Sequence, residues 1–240
     1  MALSIKNLTK EYDGNLVLDN FSIDFDDNVI NCILGESGCG KTTILNIIAG
    51  LEDFKKGEIT GVNESTFSYI FQETRLLNWY NVRKNMEFVL ADSQVEDIDS
   101  RIEKYLAITG LDKYADYYPG QLSGGMKQRL SIARAFAYPG EILLMDEPFK
   151  ALDMKLKKEL TEEFLKLWAE DRRTVLFVTH ELEEAMMMAD NVHILGGSPL
   201  REVYRTDIKT QKGQRNGNDE EIVLKRKLLY SVFTGHNEED

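Results

Sequence analysis

The apolar positions change period several times along the chain, and each period marks a kind of element. Residues 4–10 and 17–25 alternate apolar and polar side chains, as strands with one buried face do. The turns Glu11-Tyr12-Asp13-Gly14 and Asp26-Asp27-Asn28 follow them, which predicts a hairpin-rich antiparallel layer. Residues 29–34 form a continuous apolar run, a buried strand, and residues 43–49 carry near-helical spacing closed by Gly50 at a helix C-cap position. Residues 57–59 and 66–71 read as further strands, the second ending at Gln72. From residue 73 to about 137 the texture is helical, clearest over 81–91, 98–109 and 125–137 and punctuated by Gly110, Pro119-Gly120 and Gly124-Gly125. Strands return over 141–148, 174–179 and 191–195, separated by helices over 154–170 and 181–189. This predicts an α/β core spanning residues 1–200, with a helical subdomain at about 73–137 inserted into it. The remainder, 201–240, reads as a C-terminal linker and helix, with the polar stretch 209–221 leading to an amphipathic helix over 222–233.

Candidate chemistry gathers at strand ends. Gly35-Glu36-Ser37-Gly38-Cys39-Gly40-Lys41-Thr42 fits G-x-x-x-x-G-K-[ST] and lies between a buried strand and a helix, the context the motif requires. The glycines let main-chain N–H groups curl round an anion, and the helix N-terminus adds a favourable dipole. Lys41 is placed to reach the β- and γ-phosphates, Thr42 offers a hydroxyl oxygen to Mg²⁺, and Thr43 completes the candidate nucleotide contacts. The loop predicts binding of a nucleoside triphosphate. Asp146, at the end of the next core strand, is positioned as a strand-end acid for Mg²⁺, and Glu147 beside it to polarise a water. Gln72 and His180 also end core strands, and such ends face the ligand in nucleotide-binding folds. His193, inside a strand, reads as structural, and Met186–Met188 as core packing.

Composition narrows the possibilities. With 240 residues, 42% hydrophobic and 10% aromatic, the chain can build a packed α/β core. No apolar run approaches the ~18 residues that cross a bilayer and the N-terminus opens no secretory signal, so the expectation is a cytoplasmic protein that meets membranes through a partner. Cys32 and Cys39 have neither metal-ligand nor disulfide spacing. Cys39 sits where a helix N-terminus favours thiolate. A net charge of −12 argues against a nucleic-acid or anionic-lipid surface. That charge belongs to the first 200 residues, because the last forty carry eight Lys/Arg against eight Asp/Glu.

Leu122-Ser123-Gly124-Gly125-Met126-Lys127-Gln128-Arg129 resembles the LSGGQ-type signature of ATP-binding cassette (ABC) ATPases, with Met126 where Gln is usual. Residues 3–200 resemble one such cassette, whose parts occur in order: Tyr12, the phosphate loop, Gln72, the signature, Asp146-Glu147, Ala151-Leu152-Asp153 and His180. The resemblance implies a P-loop NTPase (RecA-like) core with an antiparallel β subdomain and an inserted α-helical subdomain. It implies ATP and Mg²⁺ as ligands, Glu147 as catalytic base, His180 on the γ-phosphate, Gln72 sensing Mg²⁺ and the attacking water, and Tyr12 stacked on adenine. Ser123 with two glycines ahead of a helix is by itself a second phosphate-binding N-terminus. The family uses it in a head-to-tail homodimer, where Ser123, Gly124 and Gly125 of one protomer close over ATP on the other and Asp153 helps join the two sites.

Residues 71–79 are similar to the FQ-x-x-RLLPW run, and 146–153 to the DEPFGALD run, of nitrate/sulfonate/taurine importers. Importers of pyrimidine vitamin precursors share much of this pattern. Asn78 replaces the usual Pro and Lys150 the usual Gly or Ser, and neither is expected to touch the chemistry. The expectation is an ATPase subunit energising solute import through integral-membrane permease subunits, indirectly served by a solute-binding protein, and lying on the inner face of the cell membrane. The alternatives are a cassette acting on translation or DNA, or a small-molecule kinase or GTPase. The first would bring a second cassette, a coiled-coil arm or a basic surface, and the second has no role for the signature or His180. Arg75-Leu76-Leu77-Asn78-Trp79-Tyr80 is either buried in the helical subdomain or a docking site for a short helix of the permease, anchored by Leu77 and Trp79.

Overall fold

The computed structural model describes residues 3–62, 67–150, 152–215 and 219–235. In chain order the first half holds β1 (Leu3–Tyr12), β2 (Asn15–Phe25), β3 (Ile30–Leu34), α1 (Lys41–Ile48), β4 (Lys56–Thr60), β5 (Phe67–Ile70), α2 (Val82–Leu90), α3 (Ile98–Ile108) and α4 (Gly124–Ala137). The second half holds β6 (Ile142–Asp146), α5 (Met154–Glu170), β7 (Thr174–Thr179), α6 (Leu182–Met188), β8 (Asn191–Gly196), β9 (Arg201–Asp207) and α7 (Glu220–Thr234).

The two strand patterns sort into two sheets. The alternating strands β1 and β2 join β4 in an antiparallel sheet of order β2-β1-β4, and the apolar runs, with β9 added at one edge, form a six-stranded sheet of order β5-β6-β7-β3-β8-β9. Its first five strands run parallel and β9 returns antiparallel to β8. Every residue of β3, β6 and β7 is buried, because both faces of this sheet are covered. Successive side chains point to opposite faces, so Ile33 packs with α1 and the inner face of the antiparallel sheet, including Ile5, Phe21 and Ile23. Cys32 and Leu34 face the other way, into a larger core built with α4, α5 and the helical layer, including Phe136, Phe164 and Met86. The fold is therefore the α/β cassette architecture expected, with its antiparallel β layer and helical insertion. Met186 and Met188 are buried in the larger core, as expected of packing residues.

The six-stranded sheet continues past residue 200. Arg201–Asp207 pairs with Asn191–Gly196, so the boundary read from the sequence falls at the start of an edge strand. The strand is mostly exposed and polar, and an edge strand needs no continuous apolar run. His193 is fully buried in β8, with Nδ1 2.6 Å from Glu202 of β9, in the structural role expected. The stretch read as a linker is tied down: Glu221 accepts the main-chain N–H groups of Lys209 and Thr210 at 3.0 and 2.8 Å, and α7 begins two residues early, capped by Asp219. Thr66, Ala151 and residues 216–218 lie outside the described residues.

Candidate nucleotide site

Four adjacent parallel strands, β5, β6, β7 and β3, end at one edge of the sheet. Ile70 pairs with Met145, Asp146 with Val178, and Leu34 with Thr179, so the next residues of each strand lie in a row. That row is Gln72, Asp146 with Glu147, His180, and the loop that opens at Gly35. Strand ends of this kind are where open α/β sheets bind ligands.

The phosphate loop runs from Gly35 through Glu36, Ser37, Gly38 and Cys39 to Gly40, which caps α1. Gly40 has φ +113°, and a Cβ there would stand 2.8 Å from Cγ1 of Val17, so only glycine fits. Lys41 is buried, and its Nζ donates to the main-chain oxygens of Gly35 and Glu36 at 2.8 and 2.7 Å, which holds the ammonium inside the curl of the loop. Thr42 Oγ1 donates to Asp146 Oδ1 at 3.0 Å, joining the loop to the neighbouring strand end. Burial pushes the Asp146 carboxyl up, against the Thr42 bond. A hydroxyl and a carboxylate oxygen side by side at a phosphate loop suit an Mg²⁺ ion that completes its shell with phosphates and water.

Glu147 has φ +41°, an unfavourable conformation for a non-glycine residue, held by its N–H to Val178 O at 3.1 Å. The turned backbone brings Oε1 to 3.1 Å from Nδ1 of His180 and Oε2 to 2.5 Å from Nζ of Lys150. Burial pushes the Glu147 carboxyl up, but Lys150 and His180 outweigh it and leave it below the ordinary glutamate range. Lys150 therefore touches the candidate base, contrary to the sequence expectation that this departure is neutral. Two further polar residues, to which the sequence assigned no role, brace the site. Buried Gln128 of α4 donates to Pro148 O at 2.5 Å, and Lys157 of α5 bridges Glu181 and Glu184 at 2.6 and 3.1 Å behind His180.

The remaining candidates divide. Tyr12, at the end of β1, bonds Glu52 and lies 3.5 Å from Thr43 Oγ1 on the first turn of α1, so the structure brings it to the loop. Gln72 shares the strand-end row and is exposed. Ser123 caps α4 by accepting the N–H of Met126 at 3.3 Å, while Gly124 faces open space and Gly125 abuts Leu156 of α5, where a Cβ would lie 2.9 Å from Cδ1. Asp153 is exposed and caps α5 through the N–H of Leu156 at 3.0 Å. Ser123, Gly124 and Asp153 thus lie on the surface, while Gly125 is buried. Cys39 departs from expectation: burial pushes its thiol up, with Lys41 opposing. Trp79 is 69% exposed and half-buried Leu77 lies beside it, which removes the fully buried reading of the stretch. Its shape is set by buried Asn85, whose side chain bonds both the N–H and the oxygen of Leu77 and the oxygen of Tyr80.

A glycine loop at a strand–helix junction, a hydroxyl–carboxylate pair beside it and a second carboxylate at the same strand end define a P-loop nucleoside triphosphatase. The ABC transporter family model matches residues 18–150. The chain is 40% identical to an uncharacterised ABC transporter ATP-binding protein of Methanocaldococcus jannaschii, across 96% of this chain and 91% of that protein. It is 37% identical to a bicarbonate transport ATP-binding protein of a Synechocystis species, across 82% of this chain and 75% of that one. Among solved structures, a dimeric ATP-binding cassette in a post-hydrolysis state, bound to ADP and Pi, superposes with a TM-score of 0.74 at 26% identity, covering 87% of this chain and all of that one. The chain belongs to the ABC transporter family, as an ATP-binding ATPase subunit. Among the described residues no helix is long and apolar enough to cross a membrane.

Proposed function

We propose that this chain is the ATP-hydrolysing subunit of an importer for a small solute of the nitrate, sulfonate or taurine kind. The runs at 71–79 and 146–153 and the bicarbonate-transporting relative support that solute class. The observation that carries the hydrolytic role is the Glu147–His180 pair at 3.1 Å, beside the Thr42–Asp146 pair at 3.0 Å. ATP binds with its phosphates in the loop of Gly35 to Gly40, Lys41 on the β- and γ-phosphates, Thr43 along the helix and the adenine on Tyr12. Thr42 and Asp146, with Gln72 near, would hold Mg²⁺, which would supply counter-charge to the phosphates. Glu147 takes the proton of the attacking water while the water oxygen bonds the γ-phosphorus, the β–γ bridge breaks, and ADP and phosphate leave. His180, with Nδ1 turned to Glu147, has Nε2 for the γ-phosphate.

A head-to-tail homodimer completes each site with Ser123, Gly124, Gly125 and Asp153 of the second protomer. The open surface at Gly124 and the dimeric state of the solved cassette support that arrangement. The working unit is residues 1–200 with β9 added to its sheet, the helical subdomain being about 73–137. Exposed Trp79 and neighbouring Leu77 receive a short helix of the permease, which keeps the chain on the cytoplasmic face of the membrane. Glu147→Gln keeps the shape of the site and removes the base. The variant is expected to bind ATP, lose turnover by about 10²-fold or more and accumulate as a dimer on size exclusion with ATP. A variant that stays monomeric and hydrolyses ATP at the native rate sinks the assignment.

A further inference from the structure

At the opposite edge of the central sheet lies a groove that none of this chemistry uses. Helix α5 starts at its cap Asp153 on the nucleotide side and runs 17 residues, about 25 Å. Its far end, at Trp168 and Ala169, meets Arg172 just before β7 and Asp190 just before β8. With the segment Lys209–Arg215 these residues line an open-sided groove of about 840 Å³.

In a chain of net charge −12, six cations line this groove: Lys158, Lys166, Arg172, Lys209, Lys212 and Arg215. Only two carboxylates, Glu162 and Asp190, line it with them. Asp190 is already engaged, since Lys212 bonds its Oδ1 and the N–H of Ile30 its Oδ2 at 2.8 Å. Arg215 directs its guanidinium at the main-chain oxygens of Thr210, Met186, Ala189 and Ile208, all neutral, so no carboxylate in hydrogen-bond contact balances its charge. Lys158, Lys166 and Arg172 pair with no described carboxylate. The charges converge on Trp168: the Arg172 guanidinium lies 4.4 Å and Lys212 Nζ 4.5 Å from its ring. Burial pushes the Lys212 ammonium down, Asp190 opposes this, and Arg215 and Arg172 add to the depression. Of the six cations only Lys209, with Asp207 at 4.0 Å, and Lys212 have a carboxylate partner, and like charges so held together create a positive potential that an anion relieves. A groove of this volume has the dimensions of a small-molecule site rather than the strip an acidic polypeptide would need.

We propose that this groove is a binding site for a multivalent oxyanion of the phosphate class, held by Arg172 and Lys212 beside Trp168 and by Lys158 and Lys166 along α5. The two helices that wall it, α5 and α6, begin next to Asp153 and His180 respectively, so an occupant sits on elements that reach the nucleotide edge.

The chain has two tryptophans, so in a Trp79→Phe background Trp168 reports alone. The full chain, saturated with ADP to fill the phosphate loop, is titrated with inorganic pyrophosphate and with chloride at matched ionic strength. A saturable change in Trp168 emission with pyrophosphate only is expected. It should weaken at least tenfold in a Lys166→Gln/Arg172→Gln double variant, whose changes are confined to exposed side chains and whose melting temperature checks the fold. A parallel arm uses phosphatidylcholine vesicles with and without phosphatidic acid. Binding to phosphatidic acid alone, weakened in the double variant, assigns the same chemistry to a lipid headgroup. No saturable response to either probe, or an equal response in the double variant, overturns the proposal.

Discussion

Lys150→Ser tests how the candidate base is tuned. In the structure both carboxylate oxygens of Glu147 are engaged, Oε1 by His180 at 3.1 Å and Oε2 by Lys150 at 2.5 Å. A carboxylate held by an ammonium is a poorer acceptor for a water proton. The Lys150 side chain is 38% exposed and that of Glu147 only 9%, so solvent screens the pair from one side. Discounted for that screening, the interaction is on the order of 1 kcal/mol, a little under one unit of basicity. If roughly half of that change reaches the transition state, turnover rises about two- to threefold. The assay is steady-state phosphate release at saturating ATP and Mg²⁺ across pH. Lys150→Ser should be faster than the parent with its acid limb displaced toward higher pH, because the freed carboxylate holds its proton more tightly. Lys150→Arg, which keeps the cation, should match the parent. A tenfold loss in Lys150→Ser, restored by Lys150→Arg, would refute the reasoning and give Lys150 a direct part in stabilising the phosphates.

The other expectations follow from single residues. Trp79→Ala should move Tm by no more than about 3 °C, because most of the ring is already in solvent. It should weaken co-purification with the permease about thirtyfold, or ~2 kcal/mol, and unchanged assembly would remove Trp79 from the docking surface. Alkylation should label half-buried Cys39 ahead of buried Cys32, with ATP protecting, and the rate should keep climbing through pH 9 because burial pushes the Cys39 thiol up. Peptide mapping that finds Cys32 labelled first would contradict this. Tyr105 is buried and donates to Asp171 at 2.7 Å, and burial first, then that bond, pushes its phenol up to about 12. A raised folded value means stability present below the ordinary tyrosine range and lost as pH rises toward 12, about 3 kcal/mol for two units. Denaturant unfolding at pH 9 and pH 11.5 should therefore show a smaller alkaline loss in Tyr105→Phe, and an equal loss would exclude Tyr105 as its source.

Much of this protein is written locally. The phosphate loop is eight consecutive residues between an apolar run and a helical repeat, and its geometry depends on glycines and a helix N-terminus that come with those residues. Asp146, Glu147 and His180 were legible as strand ends because a fully apolar run marks a buried strand wherever it occurs. What remained hidden depends on how the elements meet. Lys150 is only three residues from Glu147, yet its reach to Oε2 follows from a backbone turn at φ +41° that local preference disfavours and the neighbouring strand holds in place. The bond from Gln128 to Pro148 joins the helical insertion to the core across twenty residues of chain. Strand β9 was missed because an edge strand is stabilised by its partner β8 rather than by its own apolar content. The basic groove is the extreme case. Its cations are spread from residue 158 to 215 in a strongly acidic chain, and net charge averages them away. Only the packing of α5 against the segment that follows β9 gathers them round one tryptophan, because Coulomb interactions depend on distance in space and carry no trace of distance along the chain.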